Sequence, residues 1–251
     1  MDRILIEACC GSADDAMQAE AGGADRVELN SCLFMGGLTP SLGMLETVKE
    51  HTRLPVMVML RPRPGGFDYT ETEFEAMLRD AKAFLAHGAD GLVFGFLNAD
   101  GTVNTRRTLR MQEAAEGRET VFHRAFDVTP DWKQALDTLI SLGIGRVLTS
   151  WQRRTAWEGR YTIRDMISRS FGSIQILPGA GITPENAPEL IALTGADQIH
   201  LGGKRRQVCD LSASRAGIRF SGETVPAEDR FEISDRAVFQ LLREWLNERK
   251  G

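Results

Sequence analysis

The sequence is short of cysteine, of basic excess and of long apolar runs, and each shortage excludes something. Four cysteines (Cys9, Cys10, Cys32 and Cys209) in 251 residues, irregularly spaced and without a CxxC pair, argue against a disulfide framework. They read as thiols in a reducing compartment. No apolar run approaches the roughly 20 residues that span a bilayer. The pattern is strand-like from Ile4 onward with no signal-peptide character before it, so a cytoplasmic address and no membrane partner are expected. Thirty Lys and Arg against 35 Asp and Glu give a net charge of -5, so no nucleic-acid partner is expected either. HExxH, P-loop, GxSxG and GxGxxG signatures are also missing.

What the chain does contain is a regular alternation. Short apolar runs at 4–9, 26–29, 56–61, 91–95, 120–123, 146–149, 173–177 and 198–201 predict strands buried on both faces. Between and after them, helical patterns cover 12–21, 41–50, 72–86, 105–116, 132–142, 161–170, 184–193 and 235–248. Ser12 is placed as a helix cap and Pro184 in a first helical turn. Glycine closes several helices, as in Gly23-Ala24-Asp25, Gly88-Ala89-Asp90 and Gly195-Ala196-Asp197. Eight strand–helix units in this length predict an α/β protein, a single-domain (β/α)8 TIM barrel over residues 1–251. A doubly wound sheet is the rival, but it usually needs fewer units and often a Gly-rich first turn, which is missing. Residues 202–234 show neither period and predict a long loop after strand 8, over the active face.

Barrel sites sit at the C-terminal ends of strands. Polar residues there are Glu7, Glu28, Arg61, His123, Arg124 and Asp127, expected as catalytic groups: carboxylates and His to move protons, Arg61 to clamp an anion. His123 and Arg124 cannot both face inward from a regular strand. Thr149, Ser150, Gly179, Gly181, His200, Gly202 and Gly203 are expected to contact an anionic substrate, since loops after strands 7 and 8 often cradle phosphate. The same acids and bases would equally serve as a structural ring of mutually neutralising pairs. Cys9, Cys10 and Cys32, near the first two strand ends, are candidate ligands for a soft metal.

Several blocks occur in a characteristic order. They are Glu7-Ala8-Cys9-Cys10, Gly23-Ala24-Asp25-Arg26-Val27-Glu28-Leu29, Gly36-Gly37-Leu38-Thr39-Pro40-Ser41, Arg61-Pro62-Arg63, Phe122-His123-Arg124-Ala125-Phe126-Asp127 and Arg146-Val147-Leu148-Thr149-Ser150. Through them the stretch from Ile4 to His200 resembles the CutC family. The resemblance implies a cytoplasmic, homo-oligomeric TIM barrel associated with copper homeostasis, binding Cu(I) through cysteines near the first two strand ends. This chain departs from the family pattern at the second of those cysteines, where it has Asn30, with Cys32 displaced by two positions. An amide is a poor ligand for Cu(I). It also has Pro64 after Arg63, and Trp151 where the family usually has glycine, which puts a bulky ring near the mouth.

Two functions are therefore expected. One is Cu(I) binding through Cys9 with Cys10 or Cys32. The other needs no cofactor: a lyase, isomerase or hydrolase acting on a small sugar-like or anionic molecule in the barrel mouth. In that case Glu7 or Glu28 is the base, His123 the acid or oxyanion partner, and Arg61 the clamp.

Overall fold

The short apolar runs leave most strands only four residues long, and they are buried because helices cover one face and the barrel interior the other. In the computed structural model, which describes residues 3–203, 205–210, 212 and 229–248, these strands are β1 (Leu5–Cys10), β2 (Arg26–Leu29), β3 (Val56–Met59) and β4 (Gly91–Phe94). They continue as β5 (Glu119–Phe122), β6 (Arg146–Thr149), β7 (Gln175–Pro178) and β8 (Gln198–Leu201). The helices are α1 (Ala13–Ala21), α2 (Leu42–His51), α3 (Glu71–Ala86), α4 (Thr105–Ala114), α5 (Trp132–Ser141), α6 (Ala156–Ser170), α7 (Ala187–Thr194) and α8 (Arg236–Glu248). Ser12, Ser41, Thr70, Asn104, Asp131 and Thr155 each accept a hydrogen bond from an amide in the helix they precede. These caps satisfy otherwise orphaned N–H groups and fix where the helices start.

The eight parallel strands form one sheet in the order β7-β6-β5-β4-β3-β2-β1-β8, a nearly closed (β/α)8 barrel. β7 and β8 lie side at the seam, where Gln198 Nε2 donates to Gln175 Oε1 at 3.2 Å. Strand alternation sends one set of side chains outward to the helices and the other into the barrel. The inner set is layered. At the floor, Arg26 bonds to Glu7 and Gln198, while Arg146 bonds to Gln175 and Glu119. Met57, Met59, Val93, Val121, Leu148 and Leu177 form an apolar cluster inside the barrel. The polar mouth lies above.

Three features differ from the expectations. The stretch 202–234 is not all loop: β9 (Arg205–Cys209) and β10 (Arg230–Ser234) form an antiparallel hairpin, with Val208 opposite Phe231 and Arg206 opposite Ile233. Phe231 and Ile233 were its period-2 signal, obscured by short length and mixed charge. The middle of the expected loop, 213–228, lies outside the described residues. Helix α6 begins at Ala156 rather than 161, because Thr155 caps it and the helix runs straight through Gly159. Pro184 precedes α7, whose first turn instead contains Pro188 after the cap position Asn186.

Candidate functional site

The register of the first, second and last strands assembles the inner wall of the mouth. Glu7 lies level with Arg26 and His200, and Cys9 level with Glu28. His200 Nδ1 is 2.8 Å from Glu7 Oε1, and its Nε2 is 3.8 Å from Glu28 Oε2. Cys9 Sγ donates to Glu28 Oε2 at 3.6 Å, and Asn30 Nδ2 donates to the same oxygen at 2.8 Å. One ligand atom each from Cys9, Glu28 and His200 falls within 4.8 Å of the other two.

The charges follow from this packing. Burial alone would raise the Glu7 carboxyl, but the Arg26 guanidinium and the His200 imidazole outweigh it and hold Glu7 at about 2. Burial, aided by Glu7, raises Glu28. Burial would lower His200, but Glu28, Cys9 and Glu7 overcome it and keep the ring cationic well above the ordinary histidine value. Burial pushes the Cys9 thiol up to about 11. The His200 proton thus sits where a cation would be held, facing a thiol and a carboxylate.

This donor set fits a thiophilic metal ion. Cys9 supplies the soft sulfur and His200 Nε2 an imidazole nitrogen, while Glu28 adds negative charge. The Glu7–His200 hydrogen bond is the carboxylate–histidine arrangement that orients a metal-binding imidazole. Two expected ligands lie elsewhere. Cys10 follows Cys9 on a regular strand, so it faces outward, and its buried Sγ contacts the Ala8 carbonyl. Cys32 is exposed at a left-handed corner, φ 47°, before the 3-10 turn Leu33–Met35. Neither joins the cluster.

The far wall comes from β3 to β6. His123 Nδ1 accepts from the Ala125 amide at 3.1 Å and caps the 3-10 turn Arg124–Val128. Accepting there puts the ring proton on Nε2, a buried donor with no partner. Burial and the neighbouring Arg61 charge lower His123 to about 3, so the ring is neutral at working pH. The imidazole fits only because residue 95 is glycine: a Cβ there would lie 2.4 Å from His123 Cε1. Gly95→Ala is therefore expected to cost about 1–3 kcal/mol through overpacking. Denaturant unfolding measures that loss, and the histidine NMR resonances report the displaced ring.

Other expected site residues are placed as follows. Glu7 lies one layer beneath the mouth, bonded to Arg26, and does not line the cavity. Arg61 is not a free clamp: Nη1 donates to the carbonyls of Met35 and Gly37, and Nη2 to that of Gly65, tying two loops together. Arg124 extends along the rim, paired with Asp127 at 2.8 Å. Asp127 also receives the Thr149 hydroxyl and the Ser150 amide and hydroxyl, so these three side chains hold one another. Trp151, half-buried at φ 54°, lies outside the cavity lining, with Arg153 against its ring. Gly181 and Gly202 line the cavity, whereas Gly179 and Gly203 do not. The sequence reading gave no part to Phe67, whose ring is 5.0 Å from that of His123. The mouth encloses about 540 Å³, far more than an ion occupies.

Comparison with known proteins gives a consistent result. The model of the CutC family matches residues 4–205. The family protein CutC of Treponema denticola is 52% identical over 234 residues, covering 93% of this chain and 95% of that protein. The Homo sapiens copper homeostasis protein cutC homolog is 40% identical over 239 residues, covering 95% and 88%. A crystal structure of CutC from Streptococcus agalactiae superposes with a TM-score of 0.76 at 32% identity, covering 79% of this chain and 98% of that one.

Proposed function

Given that this chain belongs to the CutC family, we propose that it binds Cu(I) in the barrel mouth through Cys9 and His200, with Glu28 as the adjoining carboxylate. One observation carries the reading: three donor atoms from β1, β2 and the end of the barrel at β8 converge within 4.8 Å. The relatives called copper homeostasis proteins, from Mus musculus and Homo sapiens, are 37% and 40% identical to this chain, which is why copper is the metal chosen. Asn30 does not replace the missing family cysteine as a ligand. Its amide orients Glu28 instead, and His200 supplies the second strong donor.

Binding requires two protons to leave, one from the Cys9 thiol and one from His200 Nε2. Glu7 stays bonded to Nδ1 and fixes which nitrogen is presented. A cytoplasmic address fits this reading, because thiol ligands need a reducing compartment. Self-association fits it as a property implied by the family resemblance.

The test is titration of reduced protein with Cu(I) against a competing chelator. Cys9→Ser is expected to weaken binding by about 100-fold or more, and His200→Gln by a comparable factor. Cys10→Ala and Cys32→Ser should leave affinity unchanged. Wild-type affinity in Cys9→Ser removes the proposal.

A further inference from the structure

The metal cluster occupies one wall of the mouth and leaves the rest of a 540 Å³ cavity without a role. That remainder is asymmetric in its hydrogen bonding. His123 Nε2 and Arg61 Nε are both buried donors without partners, beyond the ends of β5 and β3 on either side of β4, around the Phe67 ring. Arg61 spends its other two nitrogens on backbone carbonyls and, among the described residues, pairs with no carboxylate. A buried guanidinium with only neutral partners is an unbalanced charge, and a buried donor without an acceptor costs about 1–3 kcal/mol.

The other charges of the mouth are matched. Arg124 is paired with Asp127, and the two buried cations Arg26 and His200 face the two carboxyls of Glu7 and Glu28. One positive charge, that of Arg61, is left over. Next to these donors the lining turns apolar, with Leu33, Met59, Phe67, Leu148 and Ile182. Across the cavity, Glu28 Oε1 is a buried oxygen without a partner.

We propose that the β3–β5 side of the mouth binds a small organic monocarboxylate bearing a hydroxyl group, its carboxylate oxygens received by His123 Nε2–H and the Arg61 guanidinium. The hydroxyl of such a molecule bonds Glu28, and its carbon skeleton lies against the apolar lining. A single surplus charge matches a monoanion better than a phosphate dianion. A neutral polyol would leave Arg61 unbalanced. The site goes beyond copper binding and stands without it.

The test uses metal-stripped, reduced full-length protein, so it does not depend on whether copper binds. Lactate, glycerate, inorganic phosphate and glycerol are titrated separately against protein carrying ¹⁵N-labelled histidine. With only four histidines in the chain, the His123 Nε2 resonance can be assigned individually. Lactate and glycerate are expected to shift that resonance saturably, and phosphate and glycerol to bind at least tenfold more weakly. His123→Asn keeps a side-chain oxygen to cap the 3-10 turn but removes the Nε2 donor. It should weaken carboxylate binding tenfold or more. Should His123→Asn not fold, the wild-type resonance alone decides. No saturable shift with either carboxylate at tens of millimolar, or phosphate binding as tightly as lactate, overturns the proposal.

Discussion

Glu7→Gln is expected to lower folding stability by about 3–5 kcal/mol, the usual cost of leaving a buried charge without its partner. For a chain of this size that is a drop of about 6–20 °C in melting midpoint. The amide keeps the shape of the carboxylate but not its charge. It leaves Arg26 with only the neutral Gln198 and strips His200 of its 2.8 Å partner, both deep in the barrel. The double variant Glu7→Leu/Arg26→Met should recover much of the loss, since removing both charges removes the unbalanced one. Acid titration supplies a second check. Glu7 is held at about 2 against 4.5 when unfolded, so its stabilisation is full above pH 4.5 and is lost as pH falls towards 2. The wild-type protein should lose stability across that window, whereas Glu7→Gln should lack this component. Equal acid profiles for the two would contradict the assigned charge.

Copper affinity should climb steeply with pH. Cys9 titrates at about 11 and His200 well above the ordinary histidine range, so at pH 6–8 both carry the proton that a metal must displace. Each displaced proton contributes up to about tenfold in apparent affinity per pH unit, so wild-type affinity should rise by up to about 100-fold from pH 6 to pH 7. Direct measurement of proton release during titration gives the same number by another route. Cys9→Ser removes one of the two protons and should halve the logarithmic slope. A pH-independent affinity would mean that these two groups are not the ligands.

Much of the fold was legible because each strand is short and mostly apolar and several of them follow a glycine-closed helix, a pattern that local chemistry fixes. The hairpin β9–β10 was not, since two five-residue strands with alternating charge give little periodic signal, and their pairing spans residues far apart along the chain. In the site, strand alternation puts Glu7 with Cys9, and Glu28 with Asn30, and both pairs face the barrel interior. It could not give depth: Glu7 proved to be a layer lower than Glu28. Cys10 was a candidate because it ends the first strand beside Cys9, and the strand turns its thiol outward against the Ala8 carbonyl. His200 was expected to contact an anion because it ends the last strand. Its cationic state comes from Glu7 and Glu28, residues almost two hundred positions away, and no local pattern encodes that. The loop carbonyls of Met35, Gly37 and Gly65 that hold Arg61 were equally illegible, because they belong to loops whose course only the folded chain reveals.

The knot of Arg26, Glu7, Gln198, Gln175 and Arg146 across the base of the barrel has a consequence for traffic. It makes the cup blind-ended, so whatever enters leaves by the same door. Entry and exit cannot be separated in space as in a pore; they can be separated only in time.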